Sequence, residues 1–264
     1  MGIDFQDPGN RGTYSGRAAD ESWRSAVLGL VRPTGADIVD VGCGGGTYTR
    51  AWHDLGARTV TGVDFSEPML HSARREHGDL PGVAFRFGDA AATGLGSGCA
   101  DIVFERALIH HVPDLEAVAA EAARLLRSGG VVLLQDRTPD DVAQRASATH
   151  PRGWMFDVFP RLLEVENARR PTLPAVESAL AAAGFGEISA TSLWEVRRHY
   201  ADREDYLAEI AERTGRSILH ELTEAELSHL VAELRRRLPA GPLVEQDRWT
   251  LWRGVGSPDP RRPG

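Results

Sequence analysis

The spacing of hydrophobic and polar positions changes several times along the chain, and each change marks an element. Over residues 17–31 (RAADESWRSAVLGLV) apolar side chains recur at helical spacing, and Pro33 ends the pattern. A β-branched run at 38–41 predicts a first buried strand, with a helix after it at 47–55. Residues 59–63 (TVTGV) read as a second strand closed by Asp64. Ser66 then reads as an N-cap, with Pro68 inside the first turn, opening a helix to about His77. Strands follow at 83–87, 100–104 and 131–135, and an amphipathic helix at 115–126 is stopped by Gly129 and Gly130. Five strands alternating with helices require right-handed crossovers and a mostly parallel, doubly wound sheet.

After Asp136 the period is lost. Residues 139–170 carry Pro139, Pro151, Pro160 and Trp154 and read as an irregular insertion with short helices. A helix at 172–183, capped by Thr172 and ended by Gly184, leads to a sixth strand at 186–196. Amphipathic helices at 200–213 and 223–238 precede a last strand at 244–255. The second of these helices opens on a capping box of Thr223 with Glu226. The expected architecture is therefore α/β: a Rossmann-like, doubly wound, mostly parallel seven-stranded sheet in one domain, 1–264. Ligands of open parallel sheets bind beyond the carboxyl ends of the strands, so segments leaving strands five and six start on the ligand side. Residues 139–170 and 200–238 are expected to lie there as a helical lid over a core at 36–137. Residues 1–16 and the tail SPDPRRPG read as a flexible lead-in and a disordered end.

Composition narrows the class only slightly. Hydrophobic residues make up 42% and charged residues 26%, ordinary for a globular protein. A net charge of −8 argues against nucleic acid as the main partner, although the 30 basic residues are arginines. Two cysteines, Cys43 and Cys99, imply no disulfide framework, and no signal peptide or membrane-length apolar run is present. These features point to a cytoplasmic enzyme without a membrane partner.

The chemistry concentrates at residues 38–49, IVDVGCGGGTYT, where a strand breaks into glycines and a helix resumes at Thr47. Bare backbone at a helix start lets a polar ligand approach closely. A P-loop would need Lys and Ser/Thr after the glycines, and Thr47-Tyr48 stands there instead. A dinucleotide site wants G-x-G-x-x-G, whereas Gly42, Gly44 and Gly46 alternate, with Asp40 two residues before the first. The pattern D-x-G-x-G-x-G resembles motif I of the class I S-adenosylmethionine-dependent methyltransferases. Asp64 at the end of the second strand, GDA at 88–90, DIVFERALIHHVPD at 101–114 and LLRSGGVVLLQD at 125–136 resemble the later motifs of that family in order. The resemblance covers about residues 36–137 and is closest to the group that methylates small molecules.

The resemblance implies S-adenosylmethionine as cofactor and the following roles. Gly42 and Gly44 would face its methionine part, Asp64 with the adjacent Phe65 its ribose, and Asp89 with Ala90 its adenine. Glu105 and Arg106 would lie beneath the sulfonium. Tyr14 and Arg17 would close over the cofactor, unless Arg17 is only a solvated helix-start residue. Asp40 would orient the loop or the cofactor's amino group, and Cys43 is a small residue that fits the turn.

Methyl transfer from a sulfonium is an in-line displacement in which a base within reach of the acceptor's proton assists. His110, or else His111, is the candidate, although packing and loop structure would equally account for the pair. No third ligand at convincing spacing joins them, so no metal is expected. His150, Trp154, Phe156 and Phe159 could line an acceptor pocket or only pack the lid. Arg197 or Arg198 could bind an acidic substrate or lie on a solvated edge. Trp249 and Trp252 read as core or interface. The leading function is methyl transfer to a small molecule, O-methylation in secondary metabolism ahead of N- or C-methylation, with a peptide acceptor and a homodimer left open. A cofactor-binding regulator without transfer activity and a nucleotide-cofactor oxidoreductase are the rivals.

Overall fold

The computed structural model describes residues 19–257. The first helix, α1 (Glu21–Leu30), begins where the Asp20 carboxylate accepts from the Trp23 N–H, four residues later than the periodicity suggested. It is followed by β1 (Asp37–Val41), α2 (Thr47–Asp54), β2 (Thr59–Asp64), α3 (Glu67–His77), β3 (Val83–Phe87), β4 (Ala100–Arg106), α4 (Leu115–Leu125) and β5 (Leu126–Asp136). The insertion after β5 holds three short helices, α5 (Pro139–Val142), α6 (Arg152–Val158) and α7 (Pro160–Arg169). Next come α8 (Leu173–Ala182), β6 (Phe185–Tyr200), α9 (Arg203–Ala211), a 3₁₀ turn at Ser217–Glu221, α10 (Glu224–Arg237) and β7 (Leu243–Gly256). The sixth strand runs through Tyr200 into territory expected to be helical. Asp202 then caps α9 through the Glu204 and Asp205 N–H groups, which fixes the later start.

The seven strands form one sheet in the order β3-β2-β1-β4-β5-β7-β6. All neighbours are parallel except β7, which runs antiparallel to both β5 and β6. Strand order reverses between β1 and β4, so the ligand crevice opens beyond the carboxyl ends of those two strands.

Successive strand residues face opposite sides of the sheet, and both sides are buried. On one side, Ile38, Ile102, Phe104 and Leu133 pack against Trp23 and Val27 of α1 and Trp52 of α2. The Trp23 and Trp52 rings meet Phe104 edge-on at 5.9 and 5.2 Å. On the other, Val39, Val103, Val132 and Leu134 pack against α4 and α8. A separate apolar cluster joins α6, α7, α9 and α10 through Met155, Leu162, Leu207 and Leu230. Phe156 is buried in this cluster, and Trp154 and Phe159 pack against it.

The glycine loop is packed onto β2 and β3. Gly46 sits at φ 83°, and a Cβ there would come within 3.0 Å of Phe85. At Gly62 in β2 an added Cβ would fall 2.8 Å from the Phe85 ring and 2.9 Å from Cys43 Sγ. Gly62→Ala is therefore expected to lower stability by about 1–3 kcal/mol, read from urea unfolding. An unchanged midpoint would mean that the loop does not rest on this strand.

Candidate active site

A cavity of about 670 Å³ opens at the carboxyl ends of the parallel strands. Its floor brings together most of the residues singled out in the sequence. Asp40, Gly42 and Gly44 line it from β1 and the loop, Asp64 and Phe65 from β2, and Asp89 and Ala90 from the end of β3. Arg106, His110 and His111 line it from β4 and the segment after it. Glu105 departs from this set and is absent from the wall. Strand alternation turns its side chain to the face opposite Arg106, where it is buried. Tyr14 and Arg17 lie outside the described residues.

Local chemistry fixes the floor. Asp64 Oδ2 accepts the Gly44 N–H at 2.8 Å and Oδ1 accepts the Ser66 N–H at 2.9 Å, so one carboxylate orients the glycine loop and the start of α3. Burial pushes its carboxyl up, against the pull of these N–H groups. Asp40 accepts from the Thr49 hydroxyl at 2.5 Å, and burial raises its carboxyl to about 7. Asp89 is exposed and accepts the Ala91 N–H at 2.8 Å. Phe65 is 44% exposed beside Asp64, an apolar face on an otherwise polar floor. A Cβ built on Gly44 would meet no protein atom within 4 Å, so the loop leaves that space open. Cys43 is buried at the loop, and burial pushes its thiol up.

Arg106 is held from several sides. It pairs with Glu195 of β6 at 2.9 Å, and its guanidinium lies 4.3 Å from the centroids of both Tyr48 and Trp249. Tyr48 also bonds Glu195, and Gln135 links Glu195 (2.6 Å) to the Trp23 indole (3.0 Å). Ala107, the next residue, is a non-glycine in the left-handed region at φ 52°, anchored by its N–H on the Gln135 carbonyl at 2.8 Å.

His110 is oriented by a residue from another strand. Its Nδ1 lies 2.8 Å from Asp136 Oδ2 at the end of β5, and Arg170 reaches Asp136 Oδ1 at 3.0 Å. Asp136 is fully buried, yet His110 and Arg170 hold its carboxyl well below the usual range. A carboxylate only accepts, so the imidazole proton sits on Nδ1 and Nε2 is left as the acceptor. Burial lowers the His110 pKa, keeping the ring neutral, and burial beside His110 lowers His111 to about 4.

The opposite wall comes from the segments after β5 and β6 and from β7. Arg152, Glu166, Arg170, Arg216 and Asp247 line it. Arg152 pairs with Asp247 of β7 at 2.9 Å, Arg170 with Glu166 at 2.7 Å, and Arg216 with Glu245 at 2.5 Å. Arg197 also lines the cavity, tied to Glu209 and Glu245 at 2.7 Å each, whereas Arg198 is half exposed on the outside. His150 is buried against the Gln246 carbonyl, away from the wall. Sequence reasoning missed Arg137, Arg152, Glu166, Arg170 and Glu195. Only Arg137, one residue past the fifth strand, stood at a position where a parallel sheet meets its ligand.

Residues 39–134 match the family described as a methyltransferase domain. The nocamycin O-methyltransferase of Saccharothrix syringae is 32% identical over 247 residues, 83% of this chain and 85% of that protein. A ubiquinone biosynthesis O-methyltransferase of Cupriavidus pinatubonensis is 36% identical over 115 residues, 42% of this chain and 44% of the relative. Among solved structures, a putative methyltransferase from an antibiotic biosynthesis pathway of Anabaena variabilis aligns with a TM-score of 0.67. It is 21% identical, and the match covers 89% of this chain and 98% of that one. The chain belongs to the class I S-adenosylmethionine-dependent methyltransferase family and is an enzyme of that class. Among the described residues no helix is long and apolar enough to cross a membrane.

Burial leaves one titration visible as stability. Glu105 Oε2 has no hydrogen-bond partner among the described residues, and burial, helped by Asp136, pushes its carboxyl up to about 8. The folded protein keeps a proton that the unfolded chain releases near the ordinary value of 4.5, so stability falls as pH rises between the two. The buried histidines act in the opposite sense only below their ordinary 6.5. From pH 6.5 to 8, urea unfolding should thus show wild type losing stability and Glu105→Gln losing less. Asp40 retains a smaller contribution of the same sign. Equal slopes for the two proteins would contradict a buried, protonated Glu105.

Proposed function

We propose that the chain methylates an oxygen of a small-molecule acceptor, with His110 as the general base. The observation that carries this reading is the His110–Asp136 pair: Nδ1 lies 2.8 Å from a buried carboxylate, which leaves Nε2 as the proton acceptor of a histidine that lines the cavity. The names of the two relatives, both O-methyltransferases, support oxygen over nitrogen or carbon as the methylated atom.

The floor fits the cofactor. The room left over Gly44 suits its methionine end, the Asp64 carboxylate keeps lone pairs for ribose hydroxyls, and Phe65 offers an apolar face beside Asp89 for adenine. When bound, S-adenosylmethionine supplies an electrophilic methyl group on a sulfonium. The protein holds the acceptor oxygen in line and takes its proton at His110 Nε2. Asp136 stabilises the imidazolium that forms, the same logic by which a buried carboxylate supports histidine bases elsewhere. Glu195 offsets the charge of Arg106, which would otherwise stand uncompensated near the sulfonium. In this reading one domain carries a cofactor core at 36–137 and two lid segments at 139–170 and 200–238. The cellular setting is cytoplasmic secondary metabolism.

Two measurements test it. Calorimetry with S-adenosylhomocysteine should find affinity weakened about tenfold or more by Asp64→Ala; affinity unchanged within error would remove Asp64 from the site. In a metabolite screen with mass detection of an added methyl group, His110→Ala should lower turnover by about 10²-fold or more while S-adenosylhomocysteine still binds. Full turnover by that variant would assign the histidine to packing alone.

A further inference from the structure

Six arginines line the cavity: Arg106, Arg137, Arg152, Arg170, Arg197 and Arg216. Five of them are ion-paired, to Glu195, Asp247, Glu166 with Asp136, and Glu209 with Glu245. Arg137 has no carboxylate partner among the described residues. It is only 8% exposed, and its Nε and Nη1 are buried without any hydrogen-bond acceptor. The Trp249 ring lies 5.2 Å from its guanidinium carbon, and Asp247 and Glu166 act on its charge without forming an ion pair or a hydrogen bond with it. Burial and the like charges of Arg152 and Arg170, opposed by Asp247 and Glu166, push its pKa down to about 9, so it remains a cation at neutral pH. Buried N–H donors without an acceptor are costly unless a ligand supplies one.

The position of Arg137 separates it from the cofactor's half of the cavity. The glycine loop leaves β1 and the acids Asp64 and Asp89 stand at the ends of β2 and β3, all on one side of the strand-order reversal. Arg137 leaves β5, on the other side, with β4 between it and β1. Two strand spacings are about 10 Å. Arg137 directly follows Asp136, the residue that orients His110, and both His110 and Arg137 line the cavity. The unpartnered N–H groups of Arg137 call for an acceptor, and the planar guanidinium matches the two oxygens of a carboxylate.

We infer that the acceptor is a carboxylic acid that also carries a hydroxyl, and that Arg137 binds its carboxylate by a two-pronged hydrogen bond, leaving the hydroxyl as the oxygen that gives its proton to His110 and takes the methyl group. The inference deepens the functional reading above and rests on it for the word acceptor, but its binding test does not require turnover. Sequence reasoning looked for an acid-binding arginine at Arg197 or Arg198. Both are occupied by Glu209, and Arg197 also by Glu245.

The test uses the full chain saturated with S-adenosylhomocysteine, and benzoate with its uncharged analogue benzamide as probes. Benzoate is expected to bind and to raise the melting temperature, and benzamide to do neither. Arg137→Gln should weaken benzoate binding about tenfold or more while leaving S-adenosylhomocysteine affinity unchanged. Arg137→Lys, which keeps the charge but loses the fork, should weaken benzoate less and serves as the second variant if glutamine disturbs folding. The inference is overturned if the two probes bind alike, if neither binds, or if Arg137→Gln retains wild-type affinity for benzoate. It is also overturned if a folded Arg137→Gln loses S-adenosylhomocysteine instead, because Arg137 would then serve the cofactor. Failure of S-adenosylhomocysteine to bind the wild type would strike the functional reading itself, a distinguishable result.

Discussion

Buried guanidinium groups matched to buried carboxylates hold the cavity together. Arg152 with Asp247, Arg170 with Glu166 and Asp136, and Arg216 with Glu209 and Glu245 join the closing helices to β5 and β7 at the carboxyl edge of the sheet. Each pair was taken out of water at a cost, and removing one partner would strand the other in a dry interior, a loss of about 3–5 kcal/mol. The geometry of α6, α7 and the 3₁₀ turn is therefore fixed by charge matching as much as by their own apolar cluster. Arginine suits this work, because its planar fork serves two carboxylates at once, as Arg170 and Arg216 do.

The same charge matching divides the cavity into two halves. On the side of β1, β2 and β3, donors and acceptors are backbone N–H groups and carboxylates, and Asp64 ties the glycine loop to α3. On the side of β4 and β5 stand His110 with its Asp136 support, and Arg137, the cavity arginine that forms no ion pair among the described residues. The strand-order reversal puts these halves side by side, with Arg106 and Trp249 at the seam. A methyl donor on one half and a hydroxyl of the bound acid on the other meet where the histidine can take the hydroxyl proton.

The sequence made the first half legible because its information is local. The glycine loop, Asp64 and Asp89 each sit at the end of a strand whose period is plain, and the caps at Ser66, Thr172 and Thr223 fall where the side chains said they would. Those residues converge because parallel strands end on one side, which needs no knowledge of pairing. The second half was hidden because its partners are remote: 26 positions separate His110 from Asp136, 60 separate Gln135 from Glu195, and 95 separate Arg152 from Asp247. The insertion of β7 antiparallel between β5 and β6 decides which face of Trp249 meets Arg106, and no period in the chain records it. Glu105 was misplaced for a smaller reason, that neighbours on a strand point apart.

The central claim is that one cavity holds cofactor and acceptor on opposite sides of the β1/β4 reversal. A crystal structure with S-adenosylhomocysteine bound tests it most directly. The account predicts ribose hydroxyls within hydrogen-bond distance of Asp64, adenine beside Phe65 and Asp89, and the sulfur turned toward His110, with Arg137 untouched by the cofactor. A cofactor whose ribose lies away from Asp64, or whose carboxylate sits on Arg137, would contradict it.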